Sequence, residues 1–373
     1  MRRRSARSTR RDCWNRYSWR SPRWATCASW WSGWSAAVAE PIAERRLATD
    51  AAALEGILHG AQPVVLRGLA GHWPMVRAAC GSARAAVDYL RRFERPQAPP
   101  VVATVAPPEA DGRIFYDAGM DGFNFRREKI PLGVALETLL RYADEPRPPT
   151  IYVASTTLDT WLPGFAAENP LALGGRTPLA SIWIGNRTRI APHQDLPDNL
   201  ACVAAGRRRV TLFPPEQLGN LYVGPLDFTP AGQPVSLVDP TAPDLERFPR
   251  FADAMRHAQV AELEPGDAVF IPSMWWHHMQ ALEPFNVLVN YWWRDQPAWM
   301  DTPMNTLMYA LMTLRDLPPH QRAAWQETFR HYVFEAGEDT VAHIPESARG
   351  ALAPLDEASA RTLRARLLQR LNR

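Results

Sequence analysis

Between residues 180 and 293 this chain is cut into short apolar runs by turn residues, and that spacing constrains its fold more than any other feature. Ser181-Ile182-Trp183-Ile184 leads to a run ending at His193, and Arg208-Arg209-Val210-Thr211-Leu212-Phe213 stops at Pro214-Pro215. Ala268-Val269-Phe270-Ile271 follows Pro265-Gly266-Asp267, and Val287-Leu288-Val289-Asn290-Tyr291-Trp292 comes last. Short runs flanked by proline and glycine read as strands rather than helices. Antiparallel strands at this spacing predict a mainly β protein, a double-sheet jelly roll whose mouth can hold a metal and a small ligand.

Helices flank this region in the sequence. Thr49 or Asp50 can cap a helix over 51–59, and Pro63-Val64-Val65-Leu66-Arg67-Gly68 reads as a buried strand ending in a glycine turn. A helix over 83–93, strands over 101–105 and 113–116, and a helix over 131–143 follow, the last carried by Leu132, Val134, Leu136, Leu139 and Leu140. Pro146, Pro148 and Pro149 end it, and Ile151-Tyr152-Val153-Ala154 starts another strand. The jelly-roll core is expected over about 151–296, within a domain of residues 41–296. Residues 297–373 form a helical region, amphipathic over 304–314, 321–334 and 357–371. Those helices either cover one end of the barrel or pack against a second copy to make a homodimer.

Charge narrows the partners. The 373 residues carry a net charge of +3, and Lys129 is the single lysine. Arg2, Arg3, Arg4, Arg7, Arg10, Arg11, Arg16, Arg20 and Arg23 crowd the first 40 residues, so the remainder is mildly acidic and nucleic-acid binding is expected of the basic extension alone. Residues 1–40 read as a disordered Arg- and Trp-rich extension. They also imitate a secretion signal, but their middle is Trp- and Ser-rich rather than leucine-rich. Cys13, Cys27, Cys80 and Cys202 have no paired spacing, which favours a reducing compartment and a cytoplasmic protein. No apolar run reaches the roughly 20 residues that span a bilayer.

His193-Gln194-Asp195 and the run Pro272-Ser273-Met274-Trp275-Trp276-His277-His278 carry the chemistry. A residue and its second neighbour point the same way on a strand, so His193 and Asp195 can grip one ion from one side. With a histidine from a neighbouring strand they make two imidazoles and a carboxylate, the donor set of non-haem Fe(II) oxygenases. An isolated His-X-Asp is equally a solvated polar pair, so the flanking motifs decide.

Pro192-His193-Gln194-Asp195, Asn199, Gly206-Arg207-Arg208-Arg209, Leu212-Phe213-Pro214-Pro215-Glu216-Gln217 and Leu221-Tyr222 form one group of motifs. Pro265-Gly266-Asp267, Ile271-Pro272, Trp275-Trp276-His277-His278 and Asn290-Tyr291-Trp292 form another. Together with Pro63–Gly68 and Trp73-Pro74 they resemble the JmjC and cupin-like oxygenases, most closely the branch of the asparaginyl hydroxylase that inhibits hypoxia-inducible factor. The resemblance covers roughly residues 41–294. It implies a double-stranded β-helix of the cupin type, with Fe(II), 2-oxoglutarate and dioxygen used to hydroxylate a C–H bond.

Carried over residue by residue, the resemblance makes His193, Asp195 and His277 the metal ligands and turns His278 to the other side of its strand. It assigns Arg208 to the distal carboxylate of 2-oxoglutarate, where close members use lysine. Arg208 is in phase with Val210 and Leu212, so it can point inward while Arg207 and Arg209 point out; the alternative is three solvated arginines. Tyr152 matches a tyrosine that hydrogen-bonds the same carboxylate, Asn199 and Asn290 match amides near the metal end, and Trp292 matches an aromatic wall. Core packing is the alternative for these four. Ile190 departs from a threonine in the pattern, and Pro234 and Val235, beside Gln233, replace the polar pair that grips the substrate amide. Tyr116 and Asp117 match residues at the substrate entrance, although Asp117 is equally a turn residue. The family points to a protein side chain as substrate, with a small metabolite or RNA as alternatives, and with a non-catalytic metal-holding module as the reading from another class.

Overall fold

Strands over residues 179–293 pair into the two sheets of a jelly roll: Leu179–Gly185 (β1), Arg189–Gln194 (β2), Asp198–Ala205 (β3), Arg208–Phe213 (β4), Gln259–Leu263 (β5), Ala268–Ile271 (β6), Trp276–Ala281 (β7) and Asn286–Trp293 (β8). This computed structural model describes residues 39–47 and 51–372. The Arg-rich part of the extension, Cys13, Cys27 and the Thr49 or Asp50 cap therefore lie outside the described residues. One sheet runs β5-β4-β7-β2, edged by Glu40–Pro41 and Arg113–Ile114. The other runs β6-β3-β8-β1, continued by Val64–Leu66 and Ala43–Arg45 on one side and by Thr150–Thr157, Val101–Ala106 and Arg126–Ile130 on the other. The strand at 150–157 joins the larger sheet beside β1.

Alternation sorts the side chains. Ala201, Val203, Val210, Leu212, Ala261, Leu263, Val269, Ile271, Met279 and Leu288 form one apolar cluster between the sheets, with Trp183 and Ile190 packed on it. Their neighbours Ile182, Ile184, Leu200, Cys202, Phe270, Val287 and Val289 face the other way, into a second core. That second core is closed by the helices Pro74–Gly81, Ala83–Arg91 and Leu132–Arg141 through Met75, Val87, Leu90, Leu136 and Leu139. Period-two strands and a 3.6-period helical stripe therefore meet face to face, and each buries what the other leaves apolar. The helix Pro74–Gly81 and the strands Arg126–Ile130 and β5 have weak patterns of their own. β5 is recognised by its pairing, in which Glu262 lies opposite Arg209 and accepts from its Nη2 at 2.6 Å.

Gly206 makes the β3–β4 turn with φ +71°, and a Cβ there would lie 2.3 Å from Asn286 Oδ1 and 2.7 Å from Phe285 O. No side chain fits that approach. Residues 295–373 form a separate compact unit built around Pro303–Thr313, Pro319–Phe329 continued by the π-turn Arg330–Phe334, and Glu357–Leu371. Within it Thr340 and Ala360 are buried, while Leu307, Met308, Met312, Trp325, Val333 and Phe334 are exposed. No described helix is long and apolar enough to cross a membrane.

The strand Val64–Leu66 is locked to the barrel by Asp267. Its carboxylate accepts from Arg67 Nη1 at 2.6 Å, Gly68 N at 2.8 Å and Glu264 N at 3.1 Å, while Arg67 also pairs with Glu44. Asp267 is 4% exposed, so its removal leaves two amides without their acceptor where water is scarce and takes from Arg67 one of its two carboxylate partners. Asp267→Ala is expected to cost about 3–5 kcal/mol, the range for breaking a buried pair. Urea denaturation measures it, and a loss below about 1 kcal/mol would reduce the clamp to a surface pair.

Candidate metal centre and barrel cavity

The centre is made where β2 meets β7, and it depends on an irregularity. Met279 pairs with Ile190 and His277 with His193, so two steps along β7 match three along β2. The surplus residue is accommodated at Ala191-Pro192, a β-bulge in which proline's missing N–H deprives the ladder of nothing. Through it Ile190 and His193, three apart, both face the barrel. Ala191 instead joins Tyr116 and Val235 in a separate apolar cluster.

His193 Nδ1 donates to Ala191 O at 2.9 Å, and His277 Nδ1 donates to Trp275 O at 3.1 Å. A carbonyl can only accept, so in both rings the proton sits on Nδ1 and the Nε2 lone pair is left for a ligand. The ring centroids are 4.2 Å apart. His277 Nε2 lies 3.5 Å from Asp195 Oδ2. One donor atom from each of His193, Asp195 and His277 falls within 4.8 Å of the others. Asp195 is one residue past the end of β2, so loop contacts aim it: its carbonyl accepts from Met274 N at 2.9 Å, and Ser273 Oγ donates to Leu196 O at 2.6 Å. Burial alone would raise the Asp195 carboxyl, but the hydrogen bond and positive charge that His277, and then His193, offer when protonated, with the Trp292 indole, bring it below its ordinary value. Burial, then the neighbouring His277 ring, push His193 down to about 4, which keeps it neutral.

The same cavity holds a lone cation. Arg208 is 2% exposed, and its Nε and Nη2 have no hydrogen-bond partner. Arg207 and Arg209 turn outward to Glu283 and Glu262 at 2.7 and 2.6 Å, so the three arginines do not form a solvated row. Tyr152 is close enough to both Arg208 and Asp195 for each to act on its hydroxyl, whose pKa burial raises. Tyr152 lies opposite Gly185, where a Cβ would come within 3.1 Å of the ring. Asn290 Nδ2 donates to Asn199 Oδ1 at 3.4 Å, and Trp292 meets Trp183 edge-on at 5.6 Å. Trp183 is the residue that motif reading missed. It donates to Asn290 Oδ1 at 2.6 Å and stacks on Tyr152 at 5.9 Å, joining the two halves of the cavity wall. Its signal is the alternation of β1, where it opposes Ile182 and Ile184.

The remaining candidates separate. Tyr116 spends its hydroxyl on Phe228 O at 2.5 Å, and Asp117 sits in a turn, its N–H donating to Gly122 O at 3.1 Å. Val235 forms a β-bridge to His193 and packs with Tyr116 and Ala191. His278, on the far face of β7, donates Nδ1–H to Ile190 O at 2.7 Å.

Two sheets closed over a His-Asp-His donor set define a jelly roll with a group of side chains that could hold a metal ion. Residues 50–298 match the family model described as a cupin-like domain, and the chain belongs to that family, of the JmjC type. Over 152 residues it is 33% identical to HSPB1-associated protein 1 of Bos taurus, covering 39% of this chain and 30% of that protein. It is 39% identical over 106 residues to tRNA wybutosine-synthesizing protein 5 of Danio rerio, covering 28% and 29% respectively. It is also 34% identical over 143 residues to lysine-specific demethylase JMJ31 of Arabidopsis thaliana, covering 36% and 25%. The aligned segments span less than a third of each relative's length.

Two buried neutral histidines set an acid limit on the metal-free protein. Burial also lowers His278 to about 4, as it does His193, against 6.5 in an unfolded chain. Below pH 6.5 the unfolded chain binds protons that the folded one refuses, so each histidine costs about 1.4 kcal/mol per pH unit down to about 4. Stability to urea should be full above pH 6.5 and fall steadily from there. A flat midpoint between pH 7 and 4.5 would show these rings accessible to protons.

Proposed function

We propose that this chain is an Fe(II)- and 2-oxoglutarate-dependent dioxygenase that hydroxylates a C–H bond, with a protein side chain as substrate and the cytoplasm as its site of action. The observation that carries the reading is the unpaired Arg208 guanidinium inside an apolar barrel that also holds His193, Asp195 and His277. A buried, uncompensated charge costs several kcal/mol, and a bound anion removes that cost.

The donors fit the group. Two neutral imidazoles and a carboxylate are the set that selects non-haem Fe(II), and Asp195 Oδ2 is buried with no hydrogen-bond donor. When bound, iron with 2-oxoglutarate and dioxygen supplies the oxidising power, one oxygen atom going to the substrate and one to succinate as carbon dioxide leaves. The chain's own contribution is placement. Arg208 offers a planar two-point grip on a carboxylate, and Tyr152 offers a hydroxyl beside it. Trp183 fixes the Asn290 amide, which in turn reaches Asn199, so two polar groups are presented in an otherwise apolar cavity. Pro234 and Val235, both buried, stand where the resemblance expects an amide-gripping pair, which argues against asparagine as the target.

A modified RNA base is the second reading, favoured by the likeness to tRNA wybutosine-synthesizing protein 5. The mildly acidic chain beyond residue 40 speaks against it.

Iron-dependent conversion of 2-oxoglutarate to succinate is expected from the purified protein, and His193→Ala or Asp195→Ala should abolish it. Arg208→Ala should raise the apparent KM for 2-oxoglutarate by roughly 100-fold or more, the equivalent of about 3 kcal/mol for a lost buried pair. An unchanged KM would move the carboxylate elsewhere. Absence of any turnover or 2-oxoglutarate binding by iron-loaded protein would leave a metal-holding module.

A further inference from the structure

We propose that His278 is a positioning residue: by donating its Nδ1–H to Ile190 O it pins the β2 bulge that turns His193 into the barrel. This rests on the reading of His193 as a metal ligand.

The register states what the bulge does. With Met279 opposite Ile190, regular antiparallel pairing would set residue 192 opposite His277. Pro192 would then occupy the inward place of His193, and the imidazole would face away, because a one-residue slip reverses every side chain. The alternative pairing loses the donor set entirely, so something must hold the irregular one.

Three carbonyls at the bulge accept from donors outside the β2–β7 backbone ladder, that of Ile190 in addition to its strand pairing with Met279. Ile190 O accepts from His278 Nδ1 at 2.7 Å, Ala191 O from His193 Nδ1 at 2.9 Å, and Pro192 O from Ser236 N at 2.8 Å. The second bond comes from the ring being positioned and gives no outside purchase. The third comes from the loop at 223–238. The first comes from the facing strand, one residue beyond His277, so the same short stretch of β7 sends one imidazole inward and uses the next as a pin.

The rest of the environment gives His278 no other task. It is 2% exposed and its Nε2 has no partner, as expected of the bare lone pair left once Nδ1 carries the proton. Asp239, on that side, is already held by Arg189 at 2.8 Å and by Thr241 N and Oγ1 at 2.9 and 2.6 Å. His278 is therefore neither needed as the acid's partner nor turned toward the metal.

The two amide side chains separate the ring nitrogens. Asparagine carries an N–H near the position of Nδ1, glutamine one near Nε2. Binding of Co(II), read from its visible absorption in the full-length chain, should stay close to wild type in His278→Asn and weaken roughly 10–100-fold in His278→Gln and His278→Leu, the range for residues that orient metal ligands. Retention in Gln with loss in Asn would overturn the proposal, as would wild-type affinity in all three when His193→Ala has lost the metal. Wild-type affinity in His193→Ala itself would overturn it together with the ligand reading. Nitrogen NMR of the unmutated protein needs no variant to fold: a His278 ring protonated at Nδ1 supports the pin, and one protonated at Nε2 overturns it.

Discussion

The pairing of β2 with β7 is the constraint on which the molecule's chemistry depends. It joins two strands far apart in sequence, and it must be irregular, since regular register would present Pro192 to His277 in place of His193. The interior of the barrel then has a simple composition. Its apolar layer of Val210, Leu212, Ala261, Val269, Met279 and Leu288 is broken by a few polar residues, among them Asn199, Arg208, His277 and Asn290. Polar groups in such surroundings destabilise a fold unless something satisfies them, and among the described residues nothing satisfies two of the Arg208 nitrogens.

Two devices prepare this interior. The first is tautomer control: backbone carbonyls at Ala191 and Trp275 take the Nδ1 protons of His193 and His277, leaving both Nε2 lone pairs toward Asp195. The second is spacing by small residues, as at Gly185, which leaves room for the Tyr152 ring, and at Gly206, which lets Asn286 approach the β3–β4 turn. Neither uses a charged partner from the protein. Among the described residues, Arg208 Nε and Nη2 and Asp195 Oδ2 are left in the barrel interior without a hydrogen-bond partner.

Some of this was legible in the chain. The jelly roll followed from short runs bounded by Pro214-Pro215, Pro265-Gly266 and similar turns, because period two and turn chemistry are local properties. The inward phase of Arg208 followed from Val210 and Leu212, also local. Trp183 was equally in phase but belongs to no motif, and its role exists only through Asn290 on β8 and Tyr152 on a different strand. β5 carries little local signal because Gln259-Val260-Ala261-Glu262-Leu263 puts a polar and an apolar residue on each face until Arg209 is set opposite Glu262.

Sequence alone determined which residues could form strands, which faces they would bury, and which side chains could bind a metal or a carboxylate, since all three follow from neighbours within a few positions. Tertiary structure decided the register between β2 and β7, the one-residue bulge at Ala191-Pro192 and the turning of Asp195 by the Met274 loop. Those depend on hydrogen bonds between segments some 80 residues apart, such as His278 to Ile190 with its separation of 88, and no local pattern encodes them.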